Sequence, residues 1–532
     1  MRIKKASNSI HKLKLMQKLK DECLTQAKKF MREGKLDEAL PRLNEFGEKK
    51  SLSFHDQISY YILKSSLSLY FFQMKELLNY AEKAYHESQN LENSLQLLDV
   101  YIQMAMALSY WYKPEESFKF VEKAEDLLKV LSEETPTELM ERKASILHIK
   151  GWFYHYKDEK DRALKYAQQS LQIREEYKLK VDIGISLWQI GWIHFLDDNI
   201  LALQYADQCI EYCKKINYKK LIQRCTWLKG RIYLTKGELN QALECIKHCK
   251  ILFEELPEEM KDKRGFAQLL HLIGSVYLEK NDLYRAKKYL EKALKIKTEI
   301  GNSTMIVITL DSLISLTLNQ SDLKSAENYL KDLKRISDLE GNKLAKLVYR
   351  QNMAKLLKLS PLDSDRAKAE EMLKESLEDK LADDIDKIIA MLNLCKLLLG
   401  KLQKSSDLKL LDEIQLYITQ ILYIAKNQKF YSFLAETYLL LAKLELLMLK
   451  MKEAQQFLDQ AHELAENYGL DQLAIRIIDE QYELSNNFMK WEKFKASGAK
   501  ISDYMDLALI EEQIEILLQK RNYLKRLTTQ RG

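Results

Sequence analysis

The stretch Ala267–Gly301, AQLLHLIGSVYLEKNDLYRAKKYLEKALKIKTEIG, carries two helical periods back to back. Leu270, Ile273, Val276 and Tyr277 recur at i, i+3, i+6 and i+7. After a polar break at Asn281-Asp282, Ala286, Leu290, Ala293 and Leu294 recur at i, i+4, i+7 and i+8. Each half is amphipathic, so the stretch reads as a helical hairpin whose apolar faces need neighbouring hairpins to cover them.

The hairpin is repeated upstream. Gly274 is preceded by Gly230, Gly191 and Gly151, and each is followed on the second helix of its hairpin by an alanine: Ala286, Ala242, Ala202 and Ala163. Two helices crossing closely need small residues there, because a larger side chain would push the backbones apart. Tyr277, Tyr233 and Tyr154 hold one position after the glycines, with His194 the exception. Weaker copies pair Ala27 and Gly34 with Ala39, Ser65 with Ala84, Ala105 with Ala124, Ile314 with Ala326, and Ala442 with Ala454 and Ala461. The turns EIGN at Glu299–Asn302 and LEGN at Leu339–Asn342 repeat the same period of about 40 residues.

Leu270, Ile273-Gly274, Tyr277, Ala286, Leu290 and Ala293 resemble the tetratricopeptide repeat (TPR) consensus, in a longer repeat of about 40 residues in place of about 34. The resemblance implies an all-α, right-handed α-solenoid of about eleven hairpins. Eight are recognisable to Glu340, and three more degenerate ones follow. The expected organisation is a basic segment at 1–19, repeats at 20–342, degenerate repeats at 343–487, and C-terminal helices with a basic tail at 488–532. Within the degenerate part, Pro361 with Asp363–Asp365 and Lys404–Asp407 mark breaks between helices. A last helix from a Ser502 N-cap to Leu527, striped by Ile510, Ile514, Leu517 and Leu524, reads either as a cap on the final repeat or as a homodimerising helix.

Composition agrees with a helical chain: the 532 residues include only 15 Gly and 5 Pro. The net charge of +6 is confined to the ends, and residues 21–518 hold 72 basic against 78 acidic groups. A mildly acidic body argues against nucleic acid as the main partner. The N-terminus lacks the apolar run of a signal peptide, and Tyr438–Leu449 is broken by Lys443 and Glu445, so a cytoplasmic protein without a membrane partner is expected.

Catalytic signatures are lacking. Neither GxxxxGK[ST], GxGxxG nor GxSxG occurs, and His462-Glu463-Leu464-Ala465-Glu466 ends in Glu where a zinc helix needs its second His. No enzyme activity, cofactor or metal is expected. Five of seven cysteines fall between Cys209 and Cys249; the period places Cys209 and Cys249 at the small-residue position of Ala293, which favours thiols used in packing over a soft-metal cluster.

The strongest departure from the repeat lies on the first helices between Lys143 and Glu279. His148, Trp152 and His155 share one helix face; so do Trp188, Trp192 and Phe195, then Arg224, Trp227 and Arg231, then Gln268, His271 and Ser275. In the family this face lines the concave groove where peptides lie. The family's Lys/Asn carboxylate clamp is not reproduced, since His148, Trp152, Trp188 and Trp192 stand at the matching positions. The reading is a non-enzymatic scaffold or adaptor that binds an apolar, partly acidic partner peptide in this groove. The alternative is a ligand-responsive sensor closing on a small molecule or signalling peptide. A third arrangement has the aromatics packing on one another and binding nothing. If the groove is open, Trp192→Ala with Trp227→Ala should leave the melting temperature nearly unchanged.

Overall fold

The computed structural model describes residues 23–518 apart from short stretches at 49–51, 112, 132–135, 158, 196–198, 237, 341–342, 361, 380–383, 406 and 428–430. The described chain contains helices and turns and no strand. Eleven hairpins follow one another. They are α1 (23–33) with α2 (Leu36–Gly47), α3 (Phe54–Tyr70) with α4 (Met74–Glu87), α5 (Leu95–Tyr110) with α6 (Pro114–Val130), and α7 (Pro136–Tyr156) with α8 (Lys160–Glu176). Next come α9 (Lys180–His194) with α10 (Asn199–Lys215), α11 (Lys219–Lys236) with α12 (Leu239–Glu254), α13 (Lys263–Glu279) with α14 (Leu283–Ile300), and α15 (Ser303–Asn319) with α16 (Leu323–Glu340). The last three are α17 (Lys343–Lys358) with α18 (Asp363–Glu378), α19 (Asp384–Ser405) with α20 (Lys409–Asn427), and α21 (Tyr431–Leu447) with α22 (Met451–Asn467). The expected breaks fall between the end of α17 at Lys358 and the start of α18 at Asp363, and between the end of α19 at Ser405 and the start of α20 at Lys409.

The landmark glycines sit where the helices of a hairpin cross. A methyl group added at Gly151, Gly191, Gly230 or Gly274 would stand 3.3–3.7 Å from the main-chain carbonyl of Ala163, Ala202, Ala242 or Ala286. Gly274 is the tightest, since the same methyl would meet Leu290 Cγ at 2.7 Å. The turn at Glu299–Asn302 ends α14 with Gly301 in the left-handed region (φ 75°) and starts α15 with the Asn302 side chain accepting from Met305 N–H at 2.9 Å. Its copy at Leu339–Asn342 extends beyond the described residues.

The hairpins wind tightly enough for the first to meet the fourth and the second to meet the fifth and sixth. Arg32 on α1 pairs with Glu141 on α7 at 2.7 Å. The Tyr70 hydroxyl donates to the Asp182 carboxylate at 3.3 Å, and Tyr218 donates to the Tyr70 carbonyl at 2.5 Å.

The C-terminal end differs from the expectation. Residues 501–508 form two short 3-10 turns, and the last helix, α24, begins at residue 510, not at a Ser502 cap. Ile510, Ile514 and Leu517 are buried. The Gln513 side chain donates to the Glu436 carbonyl at 3.0 Å, and Lys396 pairs with Glu515. The stripe considered for homodimerisation is therefore spent against α19 and α21. The boundary expected after residue 487 falls inside one continuous helix, α23 (Asp471–Ser497). Leu524, Leu527, the 1–19 segment and the basic tail lie outside the described residues. No described helix is long and apolar enough to cross a membrane.

Gly274→Val should cost about 1–3 kcal/mol of stability by overpacking against Leu290. Gly400→Ala, in α19 with nothing within 4 Å of the added methyl, should instead add about 0.5–1 kcal/mol. Denaturant midpoints of the two variants test both signs.

Candidate functional site

The first helices carry the chemistry because their inner ends face one another across the superhelix. On α7, α9, α11 and α13 the ten residues singled out in the sequence come together almost completely. Trp152 and Trp188 lie 5.5 Å apart between ring centres, Trp188 and Trp192 5.9 Å, and Trp192 stacks on Trp227 at 5.9 Å with 6° between planes. Arg231 places its guanidinium 4.9 Å from the Trp227 and Phe195 rings. Arg224 lies 4.7 Å over Phe72 and 5.8 Å from Trp227. His155 stands edge-on to Trp152 at 5.7 Å. His271 sits outside this contact chain, one hairpin further on, with Lys297 Nζ 3.2 Å from its Nδ1.

These side chains are packed, not displayed. Only Trp192 and Arg224 are partly exposed; the other eight are buried, Trp188 at 4% and Trp227 at 8% exposure. The expectation of open aromatic rows is corrected by residues that the sequence reading missed. Phe72 in the turn of the α3–α4 hairpin meets Trp188 edge-on at 5.2 Å, and Tyr110 at the end of α5 meets Trp152 at 5.8 Å. Burying so much aromatic surface is favourable at about 25 cal/mol per Å². The tight winding supplies the covering rings. A cavity of about 60 Å³ remains among them.

His148 anchors the cluster chemically. Its Nε2 accepts from the Trp152 indole N–H at 3.2 Å, with the Tyr110 hydroxyl also at 3.2 Å. Burial, and then the charge of Arg174, hold its imidazole well below the usual value. Arg174 donates to Ser186 Oγ at 2.7 Å and to the Asp182 carbonyl at 3.1 Å. The same geometry recurs around His271, where Lys297 donates to Thr309 Oγ1 at 2.6 Å. In both, with the histidine as i, the cation stands at i+26 and the hydroxyl at i+38. This His, Arg/Lys, Ser/Thr series was legible as a spacing and was overlooked.

The facing surfaces of α1, α3, α5, the first half of α7 and the start of α9 leave a groove of about 490 Å³. Its lining mixes Asp99, Glu138, Glu141 and Asp182 with Lys28, Arg32, Arg142 and Lys180. Arg142 pairs with Asp99 at 2.7 Å. Burial raises the Asp182 carboxyl against the opposing charge of Arg174. Gln103 Oε1 and Arg142 Nε are buried here without a hydrogen-bond partner among the described residues.

The sequence model of the MalT-like TPR region matches residues 144–469, from the middle of α7 to the end of α22. The chain belongs to the MalT-like TPR family. The Tonsoku-like protein of Danio rerio is 26% identical over 170 residues, which are 32% of this chain and 12% of that protein; the chain thus spans about an eighth of this curated relative. Among solved structures, the apo form of the quorum sensor NprR from B. thuringiensis superposes with a TM-score of 0.51 at 14% identity, covering 70% of this chain and 99% of that one. The apo form of RapI gives 0.48 at 15% identity, covering 70% and 98%. At these identities the likeness is one of fold.

The cysteines of this TPR array act as core atoms. Cys209, Cys213, Cys225 and Cys249 are buried, and Cys209 Sγ donates to the Gly184 carbonyl at 3.3 Å. Burial raises the Cys209 and Cys225 thiols and pushes Cys245 up to about 11 and Cys249 to about 12, which disfavours the thiolate that a soft metal needs. Among the described residues no group of three or more His, Cys, Asp and Glu side chains is placed to hold a metal ion.

Trp192→Ala with Trp227→Ala now carries the opposite expectation: the melting temperature should fall, with loss of the buried Trp227 ring alone costing about 3–5 kcal/mol. A second prediction concerns pH. A histidine held neutral when folded takes up its proton on unfolding, so its contribution weakens as pH falls below about 6.5, by up to about 1.4 kcal/mol per pH unit. Stability of the wild type relative to His148→Gln, measured between pH 7.5 and 5, should decline with falling pH.

Proposed function

We propose that the chain is a non-enzymatic binding protein that holds a peptide segment of a protein partner on the concave side of its first superhelical turn. The observation that carries this reading is the groove of about 490 Å³ between α1, α3, α5, α7 and α9. Its mixed charges suit an extended peptide rather than a uniformly charged polymer. The aromatic cluster stands on α7 and α9 as well as α11, around a separate cavity of about 60 Å³. Trp192 and Arg224, which keep accessible surface, are the members proposed to meet an apolar or acidic side chain of the partner. His148, Trp152, His155, Trp188, Phe195, Trp227 and Arg231 pack behind them, and His271 lies one hairpin further on.

A sensor reading is carried second, by the closure of the same turn. Arg32–Glu141 and Tyr70–Asp182 join hairpins far apart in sequence, so a ligand bridging them would tighten the ring. The fold shared with a protein described as a quorum sensor is compatible with that use.

Affinity capture with crosslinking mass spectrometry tests the proposal. Crosslinks of a captured partner should map to residues on α3, α5, α7 and α9. Ser66→Trp, which fills the groove from α3, should lose the partner while the circular dichroism spectrum stays unchanged. Capture undiminished by Ser66→Trp would overturn the proposed site.

A further inference from the structure

Helix α23, 27 residues long, stands where the first helix of a twelfth hairpin would be. Its inner face is used: Leu473, Ala474, Ile477, Leu484 and Trp491 are buried. In every preceding hairpin a second helix then packs alongside. Here the chain turns away instead, and α24 lies against α19 and α21 through Lys396–Glu515 and Gln513–Glu436. Among the described residues nothing covers the opposite face of α23, which carries a line of large apolar side chains. Ile475 is 54% exposed, Ile478 49%, Tyr482 66% and Met489 78%. Their spacing of three, four and seven residues puts them on one line along the helix.

The ends of the line are placed symmetrically about Tyr482, while Ile478 has Asn486 as its counterpart. Ile475 and Met489 lie seven residues to either side of it, and Asp471 and Lys493 eleven. All four flank the same exposed face, and the charges are opposite at its two ends, with Asp479 adding to the acidic half and Lys490 to the basic half. A surface that is complementary to itself after a half-turn fits a second copy of the same helix.

We infer that two copies of this chain pair through α23, antiparallel about a two-fold axis at Tyr482. In that arrangement Ile475 packs on Met489 of the partner subunit, the two Tyr482 rings meet at the axis, and Asp471 faces Lys493 of the partner subunit. Parallel pairing would instead set Asp471 against its own copy and Lys493 against its own, which is unfavourable. The apolar line is about 21 Å long at 1.5 Å per residue, a small interface, so a dissociation constant in the micromolar range follows.

Sedimentation equilibrium of the full chain, over about 1–100 µM, should show a monomer–dimer equilibrium weakened by salt. Tyr482→Glu should raise the dissociation constant at least about 30-fold, by placing two like charges at the axis. Met489→Lys should weaken it as well, and both exposed substitutions should leave thermal melts unchanged. Asp471→Lys or Lys493→Asp alone should weaken pairing roughly two- to tenfold, and the two together in one chain should restore it. A monomer at every concentration, or a dimer indifferent to Tyr482→Glu, would overturn the inference; failure of the charge exchange to restore pairing would overturn its antiparallel geometry.

Discussion

How closely two helices can cross is set by the smallest side chains at the crossing, and that constraint runs through this whole molecule. With glycine on the first helix and alanine on the second, the backbones at Gly151, Gly191, Gly230 and Gly274 approach until an added methyl group would reach the facing helix, in ordinary contact at Gly230 and in a clash with Leu290 at Gly274. Tight hairpins stack into a tight superhelix. The first hairpin then reaches the fourth and the second reaches the fifth, joined by Arg32–Glu141 and Tyr70–Asp182.

Closure of that turn divides the inner surface into two chemically distinct halves. Where the C-terminal ends of the first helices converge, Phe72 and Tyr110 meet Trp188 and Trp152, and Arg224 and Arg231 lie over the rings. Guanidinium groups over aromatic faces gain a cation–π contact in a poorly solvated place, while the Trp188 and Trp227 indole N–H groups and Arg224 Nε are buried there without a hydrogen-bond partner among the described residues. Between α1, α3, α5, α7 and the start of α9 space remains, lined by charged side chains together with Leu63, Leu69, Ile102 and Met106. The groove and the packed aromatic cluster thus share α7 and α9.

Much of the candidate site was legible as a set of residues but not as an environment. Spacing placed the tryptophans and arginines on one face of α7, α9 and α11, and they do converge. Their burial was not legible, because it depends on Phe72 and Tyr110, which belong to other hairpins than the tryptophans they cover, Phe72 to one three places away in the stack. Aromatic residues recurring at the ends of α3, α5, α7 and α9 were the available signal. The Arg174 and Lys297 spines had a clearer one, the shared offsets i+26 and i+38 from His148 and His271. The last helix was misplaced because residues 501–508 have helical composition yet form 3-10 turns that redirect the chain.

The sequence by itself determined what is local or periodic: helix, hairpin, the repeat period, the crossing points, and the stack of hairpins. Each follows from interactions among residues close in the chain or one repeat apart, and repetition makes those visible in one dimension. The tertiary structure alone decided how tightly the stack winds, hence which faces are covered, and where the final helix turns. Those outcomes rest on contacts between hairpins several repeats apart. A small change in the angle between neighbouring hairpins, repeated down the stack, decides whether such distant surfaces meet, and no residue spacing records that angle.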